Sequence, residues 1–109
     1  MEEKEFRLKV SKIFSLVAAA FDKVDPDIAE AEVSQGTLTV VIPGKKKIVL
    51  SPQPPVQQMW LAVAAKAQAL HFDWNIEKGA WIDDKGLGIE LLSHIKETVA
   101  ELSGADITF

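Results

Sequence analysis

The chain has 109 residues, of which 48% are hydrophobic and 26% charged, a composition typical of a folded globular protein. This size predicts a single domain over residues 1–109. There is no cysteine, which excludes disulfide bonds, thiolate metal sites and thiol nucleophiles. The formal net charge of −4 argues against nucleic-acid binding, because nucleic-acid-binding domains are more often basic.

The first element is predicted to be a helix. Its apolar residues recur every three or four positions and form one stripe: Phe6, Val10, Ile13, Phe14, Val17 and Phe21. The pair Asp25-Pro26 stops the helix, because proline pushes the preceding residue out of the α conformation. The N-terminal residues are too acidic for a targeting signal, and no apolar run is long enough to span a bilayer, so we expect a cytoplasmic protein.

Three strands are predicted after this helix. Residues 28–33 alternate between an inward apolar set and an outward acidic set, namely Ala29, Ala31 and Val33 against Glu30 and Glu32. Strands over residues 37–42 and 48–50 follow, each preceded by a turn. Since proline is excluded from central strands, a connector outside the sheet is expected to hold the next prolines, Pro52, Pro54 and Pro55.

Three more strands are predicted in the second half of the chain. The alternation of residues 57–63 points three apolar side chains inward, those of Met59, Leu61 and Val63. Residues 64–69 fit either a loop or a short helical turn and look long for a connection between strands. Residues 70–74 and 80–83 give the fifth and sixth strands, with Trp74 and Trp81 expected to be packing residues.

The last element is predicted to be a second helix. Its apolar stripe consists of Leu91, Leu92, Ile95, Val99 and Leu102. Asp83 and Asp84 are expected at its N-terminal end, where the helix dipole favours negative charge, and Gly104 at its C-terminal end. Short turns imply antiparallel strands. We therefore predict an α+β two-layer sandwich, with both helices on one face of an antiparallel sheet of about six strands.

No catalytic motif is present, and we expect a protein that is not an enzyme. The sequence lacks nucleophile-elbow, phosphate-loop, dinucleotide and zinc-protease patterns. His71 is expected to be a half-exposed structural histidine and His94 to face solvent. Gly86 and Gly88 indicate a turn rather than a phosphate site.

The strongest signal is the acidic segment, which we define as residues 22–32. It sums to −4, the net charge of the whole chain, because one Lys23 accompanies five acids: Asp22, Asp25, Asp27, Glu30 and Glu32. Crowded carboxylates repel one another, and a hard cation relieves that repulsion. On an open surface such a site should bind metal weakly and with little selectivity. A basic partner surface would fit equally well, and an ordinary solvated surface is the simpler interpretation.

Trp60 gives a second signal. If Met59 and Leu61 point into the core, period two sends Trp60 outward beside Gln58. An exposed tryptophan often marks a partner site, unless a sheet edge or loop covers it.

The chain resembles the frataxin family, in particular its bacterial CyaY members, over roughly residues 5–103. Five pieces carry the resemblance through their order and spacing between two terminal helices: Pro55-Val-Gln-Gln58-Met-Trp60-Leu61, His71-Phe72-Asp73-Trp74, Trp81-Ile82, Asp84-Lys-Gly86 and Glu90-Leu91-Leu92.

The resemblance implies an iron-binding protein of iron–sulfur cluster assembly. It places weak, surface-bound Fe²⁺ or Fe³⁺ on acids at the end of the first helix and on the first strand, here Asp22, Asp25, Glu30 and Glu32, with Asp27 nearby. It implies that the same acids, including Glu30 and Glu32, dock on a cysteine desulfurase. It also implies that the sheet face with Gln58 and Trp60 contacts the scaffold and desulfurase assembly. We expect a monomer with no nucleic-acid or membrane partner.

The chain departs from the family pattern in one respect. Ala18, Ala19 and Ala20 and then Lys23 stand where bacterial relatives commonly carry acids. This thinner acidic surface predicts weaker iron binding. Two alternatives remain at this point: a metal-independent module that modulates a cysteine desulfurase, and a weak ferroxidase, which the residues support little.

Overall fold

The computed structural model describes residues 1–109 and contains two α-helices and six β-strands. The helices are α1 (Glu3–Phe21) and α2 (Leu91–Ser103). The strands are β1 (Glu30–Ser34), β2 (Thr37–Ile42), β3 (Lys46–Gln53), β4 (Gln58–Val63), β5 (Gln68–Asn75) and β6 (Ala80–Asp83). They form one antiparallel sheet in the order β1-β2-β3-β4-β5-β6, and the predicted fold class is confirmed.

Both helices pack on one face of this sheet. Period-two alternation gives each strand an apolar side, and directly paired residues point to the same face. The sheet contributes a buried set that includes Leu38, Val40, Ile48, Leu50, Met59, Leu61, Phe72 and Trp81. The predicted helix stripes complete this core, α1 chiefly through Phe6, Val17 and Phe21 and α2 through Leu91, Ile95 and Val99. The opposite face, hereafter the open face, carries no helix.

The strand connections are short, as the antiparallel order requires. β1 and β2 are joined by Gln35 and Gly36, whose φ angles of 51° and 77° define a type I′ turn. The segment that the sequence left undecided forms a 3-10 turn over Ala64–Lys66, followed by Ala67 in the left-handed conformation. Gln68 and Ala69 already belong to β5. The expectation of a long connection was therefore wrong.

Pro52 lies inside β3, which contradicts its expected place in a connector. It pairs with Met59 of β4. On the other side of β3, the pairing with β2 ends at Leu50 and Leu38. The sheet accepts Pro52 because this end of β3 has a neighbouring strand on one side only, so no ladder hydrogen bond is lost on the other.

Val33 lies on the core face of the sheet, as predicted, but it is not buried. Its exposed fraction is 54%. Its cross-strand partner Leu38 lies on the same face and is only 1% exposed. The difference arises because β1 is the edge strand of the sheet, and Val33 lies near its end, with a neighbouring strand on one side only.

Asp83 and Asp84, which were expected at the N-terminal end of α2, lie several residues before the helix begins. Glu90 is its N-cap residue, and the Glu90 carboxylate accepts hydrogen bonds from the backbone N–H groups of Leu92 (2.7 Å) and Ser93 (3.0 Å). Asp83 instead ends β6. The expected C-terminal cap is confirmed, since Gly104 adopts the left-handed conformation that ends the helix. Neither helix is long and apolar enough to cross a membrane.

Two valines of the core face, Val63 and Val33, provide a test of this packing. Val63→Ala should lower the free energy of unfolding by about 2 kcal/mol, because Val63 is fully buried and the truncation leaves a cavity. Val33→Ala is the matched control and should lower the free energy of unfolding by well under half of that amount. Urea unfolding of the two variants measures the difference, and equal losses would contradict the exposed position of Val33.

Candidate functional site

The acidic segment lies at the junction between α1 and β1, and all five of its carboxylates are exposed. Asp22 is the C-cap residue of α1, where a carboxylate opposes the helix dipole, and no basic residue occupies the last turn of the helix. Asp25 accepts a hydrogen bond from the backbone N–H of Asp27 (2.9 Å), which fixes the turn between them. Negative charge therefore collects where the local structure does not favour it.

Glu30 and Glu32 extend this charge along the open face. Their cross-strand partners on β2, Val41 and Thr39, are uncharged. Side chains two apart on a strand lie roughly 6.5 Å from each other on the same face. The two carboxylates therefore repel one another with no intervening positive charge.

None of the five carboxylates is neutralised by an ion pair. The salt bridges of the protein lie elsewhere and join Glu3 to Arg7, Glu5 to Lys9, Glu101 to Lys66 and Asp106 to Lys96. The structure also brings no three histidine, aspartate or glutamate side chains into a metal-binding group. The oxygen ligands suit a hard cation, but they are spread along the segment, so a bound ion would keep most of its waters.

Trp60 lies on the open face and is 37% exposed, so no loop or sheet edge covers it. It pairs across the sheet with His71, and the two rings stack with their centroids 4.2 Å apart and their planes within 10°. The predicted outward orientation of Trp60 is confirmed, and the expected half exposure of His71 is confirmed as well. Stacking against the imidazole of His71 fixes the orientation of the indole, which stays partly exposed to solvent.

Gln58 connects Trp60 to two carboxylates. Its side-chain oxygen accepts a hydrogen bond from Trp60 Nε1 (2.9 Å), and its Nε2 donates to Asp73 Oδ1 and Asp84 Oδ2, both at 3.1 Å. The Asp84 carboxylate is also 3.7 Å from His71 Nδ1. We call these five residues the tryptophan network. The sequence predicted Gln58 and Trp60 as binding residues, whereas Asp73 and Asp84 stood out only within the pieces that carry the family resemblance, and Asp84 also as an acid expected at the start of the second helix.

Asp83 positions the loop that carries Asp84. Its buried carboxylate accepts hydrogen bonds from the backbone N–H groups of Lys85 (3.1 Å), Leu87 (2.9 Å) and Ile89 (2.7 Å). These bonds, chiefly the one from Leu87, lower the pKa of Asp83 although burial opposes the shift. The loop between β6 and α2 is thus anchored from within, and its glycines serve a turn, as predicted.

His94 does not face solvent as expected. It is half-buried on α2, and its Nε2 lies 2.8 Å from Oε1 of Gln68 on β5. Burial lowers the pKa of His94, and the nearby Lys66 ammonium lowers it further. His94 therefore joins the helix layer to the sheet and is no candidate ligand.

The strand acids of the acidic segment, Glu30 and Glu32, share the open face with the tryptophan network. Glu32 lies on β1 and Trp60 on β4, three strand spacings apart, which corresponds to roughly 15 Å. A protein interface of ordinary size, about 800 Å² on each partner, is wide enough to cover both.

Comparisons with known proteins agree with this arrangement. A family model described as the frataxin-like domain matches residues 1–105. The chain is 32% identical over 108 residues to the "Iron-sulfur cluster assembly protein CyaY" of Tolumonas auensis, covering 99% of this chain and 98% of that protein. It is 34% identical over 110 residues to the protein of the same name from Pseudomonas fluorescens, covering 100% and 96%.

Solved structures show the same fold. The frataxin of Psychromonas ingrahamii superposes with a TM-score of 0.85 at 23% identity, covering 98% of this chain and 96% of that chain. A trimeric frataxin from the yeast Saccharomyces cerevisiae, solved "complexed with ferrous", gives a TM-score of 0.64 at 25% identity, covering 96% and 88%.

The loop anchor predicts a pH-dependent effect of Asp83→Asn. Because the pKa of Asp83 is lowered by folding, its stabilising contribution is complete above about pH 4 and is lost as the pH falls further. The variant should therefore be less stable than the parent at pH 7, with a difference that shrinks as the pH falls below about 4. Urea unfolding at several pH values measures this, and Glu77→Gln is the control. A difference that does not change with pH would contradict the proposed anchor.

Proposed function

This chain belongs to the frataxin family, and from that membership we propose that it is an accessory protein of iron–sulfur cluster assembly and not itself an enzyme. Relatives that match it over nearly their whole length are named as assembly proteins. The observation that carries the proposal further is the acidic segment, in which five exposed carboxylates have no positive partner.

We propose iron as a loosely held cargo of these carboxylates. Carboxylate oxygens are hard ligands that suit Fe²⁺ and Fe³⁺, and a bound cation would relieve the repulsion between Glu30 and Glu32. Because no three ligands converge, each ion would take one or two protein oxygens and fill its remaining positions with water. Such binding is weak, and weak binding allows the ion to be passed on.

We further propose that the open face docks on a cysteine desulfurase and its scaffold protein. The chain has no cysteine, so it cannot hold a persulfide or a thiolate-bound cluster itself and needs partners with thiols. The unpaired acids would meet a basic partner surface, which speeds association and fixes orientation. Trp60, held in one orientation by His71 and Gln58, is suited to be the buried anchor of that interface.

The second candidate is a metal-independent docking module. The lack of any converging group of three ligands favours it. In that case the acidic segment would act only through charge complementarity, and docking on the desulfurase would have the same affinity whether or not iron is chelated.

Iron titration distinguishes the two candidates. The cargo proposal predicts that Fe²⁺, followed by NMR under anaerobic conditions, broadens or shifts backbone signals of residues 22–32 first. A variant with Glu30→Gln and Glu32→Gln should weaken this effect several-fold, because it removes both charged ligands of the strand and the repulsion between them that a cation would relieve. Glu77→Gln is the matched control. Iron effects confined to α2, or no effect, would leave only the metal-independent module.

Partner binding gives a separate prediction. Charge reversal at Glu30 and Glu32 to lysine should lower the affinity for a cysteine desulfurase by at least about tenfold at low salt, because each change replaces attraction by repulsion. Glu77→Lys, on an exposed turn outside the open face, makes the same kind of change and should have little effect. Affinity measured with and without an iron chelator completes the experiment. If Glu77→Lys lowered the affinity for the desulfurase as much as reversal at Glu30 and Glu32, a specific docking surface would be contradicted.

A further inference from the structure

The outer edge of β1 is the open edge of the sheet. At the opposite end, β6 is covered, since Ile82 bridges to Glu90 and the backbone N–H of Asp83 donates to Ile89 (3.0 Å). β1 pairs only with β2, and no further backbone or side-chain hydrogen bond involves residues 30–34. Four of its five residues are exposed, so no other part of the chain covers this edge.

The turn between β1 and β2 determines which groups lie on that edge. A type I′ turn over Gln35 and Gly36 closes with a hydrogen bond between the residues that flank it, Ser34 and Thr37. Residue pairs in an antiparallel ladder alternate between hydrogen-bonded and non-hydrogen-bonded. The backbone groups of Ser34, and therefore also those of Glu32 and Glu30, are hydrogen-bonded to β2. The backbone N–H and C=O groups of Ala31 and Val33 therefore point away from the sheet.

Side chains flank these free groups on both faces. Glu30 and Glu32 project on the open face, and Val33, 54% exposed, projects on the core face. A strand that paired here would place its own residues beside these side chains in alternation, cations next to the glutamates and apolar groups next to Val33. A second copy of this chain fits poorly, because antiparallel pairing of two β1 edges brings glutamates together on one face.

We propose that β1 binds a partner protein by strand addition, accepting an extended segment in which lysine or arginine alternates with apolar residues. Backbone hydrogen bonds from Ala31 and Val33 would supply affinity, and the flanking side chains would supply selectivity. The inference rests on the proposed function in taking β1 as part of the docking surface, and it specifies how that surface holds its partner.

Amide exchange in the unmodified protein provides the first test. The probe is a peptide of four lysines alternating with three valines, and its control has the same residues as a block of lysines followed by a block of valines. Strand addition predicts that the alternating peptide slows hydrogen exchange at the N–H groups of Ala31 and Val33, while exchange at Glu30 and Glu32 changes little. Equal protection by both peptides, or no protection, would overturn the proposal, because electrostatic attraction alone does not bond these amides.

Val33→Pro provides the second test. Proline removes the outward N–H and blocks pairing but costs no hydrogen bond to β2, so the strand is retained. The variant should lose at least about tenfold in affinity for the alternating peptide, whereas Val33→Thr, which keeps the N–H, should bind nearly as the parent does. Far-ultraviolet circular dichroism and urea unfolding check that both variants fold. Equal peptide affinity of the proline and threonine variants would overturn strand addition.

Affinity for a cysteine desulfurase separates this proposal from the proposed function. Loss of that affinity in Val33→Pro but not in Val33→Thr supports strand addition. Full affinity in both variants, together with loss on charge reversal at Glu30 and Glu32, overturns strand addition and leaves the docking proposal standing. Absence of desulfurase binding by the parent itself contradicts the docking proposal, while the peptide experiments still decide strand addition.

Discussion

The packing of both helices against one face of the sheet is the constraint on which the rest of the structure depends. Burial of the alternating apolar side chains removes a large apolar area from water, and it fixes the register of every strand, because a slip by one residue would turn this set outward. The helices cover the apolar side of the sheet except at its β1 edge, where Val33 stays exposed. The open face is therefore left to residues that folding does not need, and those residues are available for function.

Unpaired negative charge on the surface of the protein is concentrated rather than dispersed. Most carboxylates elsewhere are bound within the protein, as Asp83 and Glu90 are by backbone N–H groups or Glu101 is by Lys66. The acids of residues 22–32 have no such ion-pair partners, and Asp22 stands at the helix end that least favours a carboxylate. Repulsion tolerated at one place points to a role outside the stability of the fold, and under the proposed function a cation or a basic partner would relieve it.

Trp60 illustrates how an exposed aromatic side chain is kept in one orientation. His71 stacks on its ring, Gln58 accepts its N–H, and Asp84 reaches both supporting side chains. Ordering in the free protein lowers the entropic cost of binding, which makes a rigid tryptophan a better anchor than a mobile one. The buried carboxylate of Asp83 extends this support into the interior, since it holds the loop on which Asp84 lies.

The sequence by itself determined the two helices, the alternation of the six strands, the fold class and the identity of the exposed acids, because helical and strand periodicities are local properties of the chain. It also predicted the outward position of Trp60 from its buried neighbours in β4. Only the tertiary structure showed that Pro52 lies in a strand, that Val33 is uncovered, that His94 is half-buried and that Asp84 supports Trp60. Each of these depends on which strand lies at an edge and which distant residue is the neighbour. Those relations follow from the register and from the reach of the helices over the sheet, and no local pattern of residues encodes them.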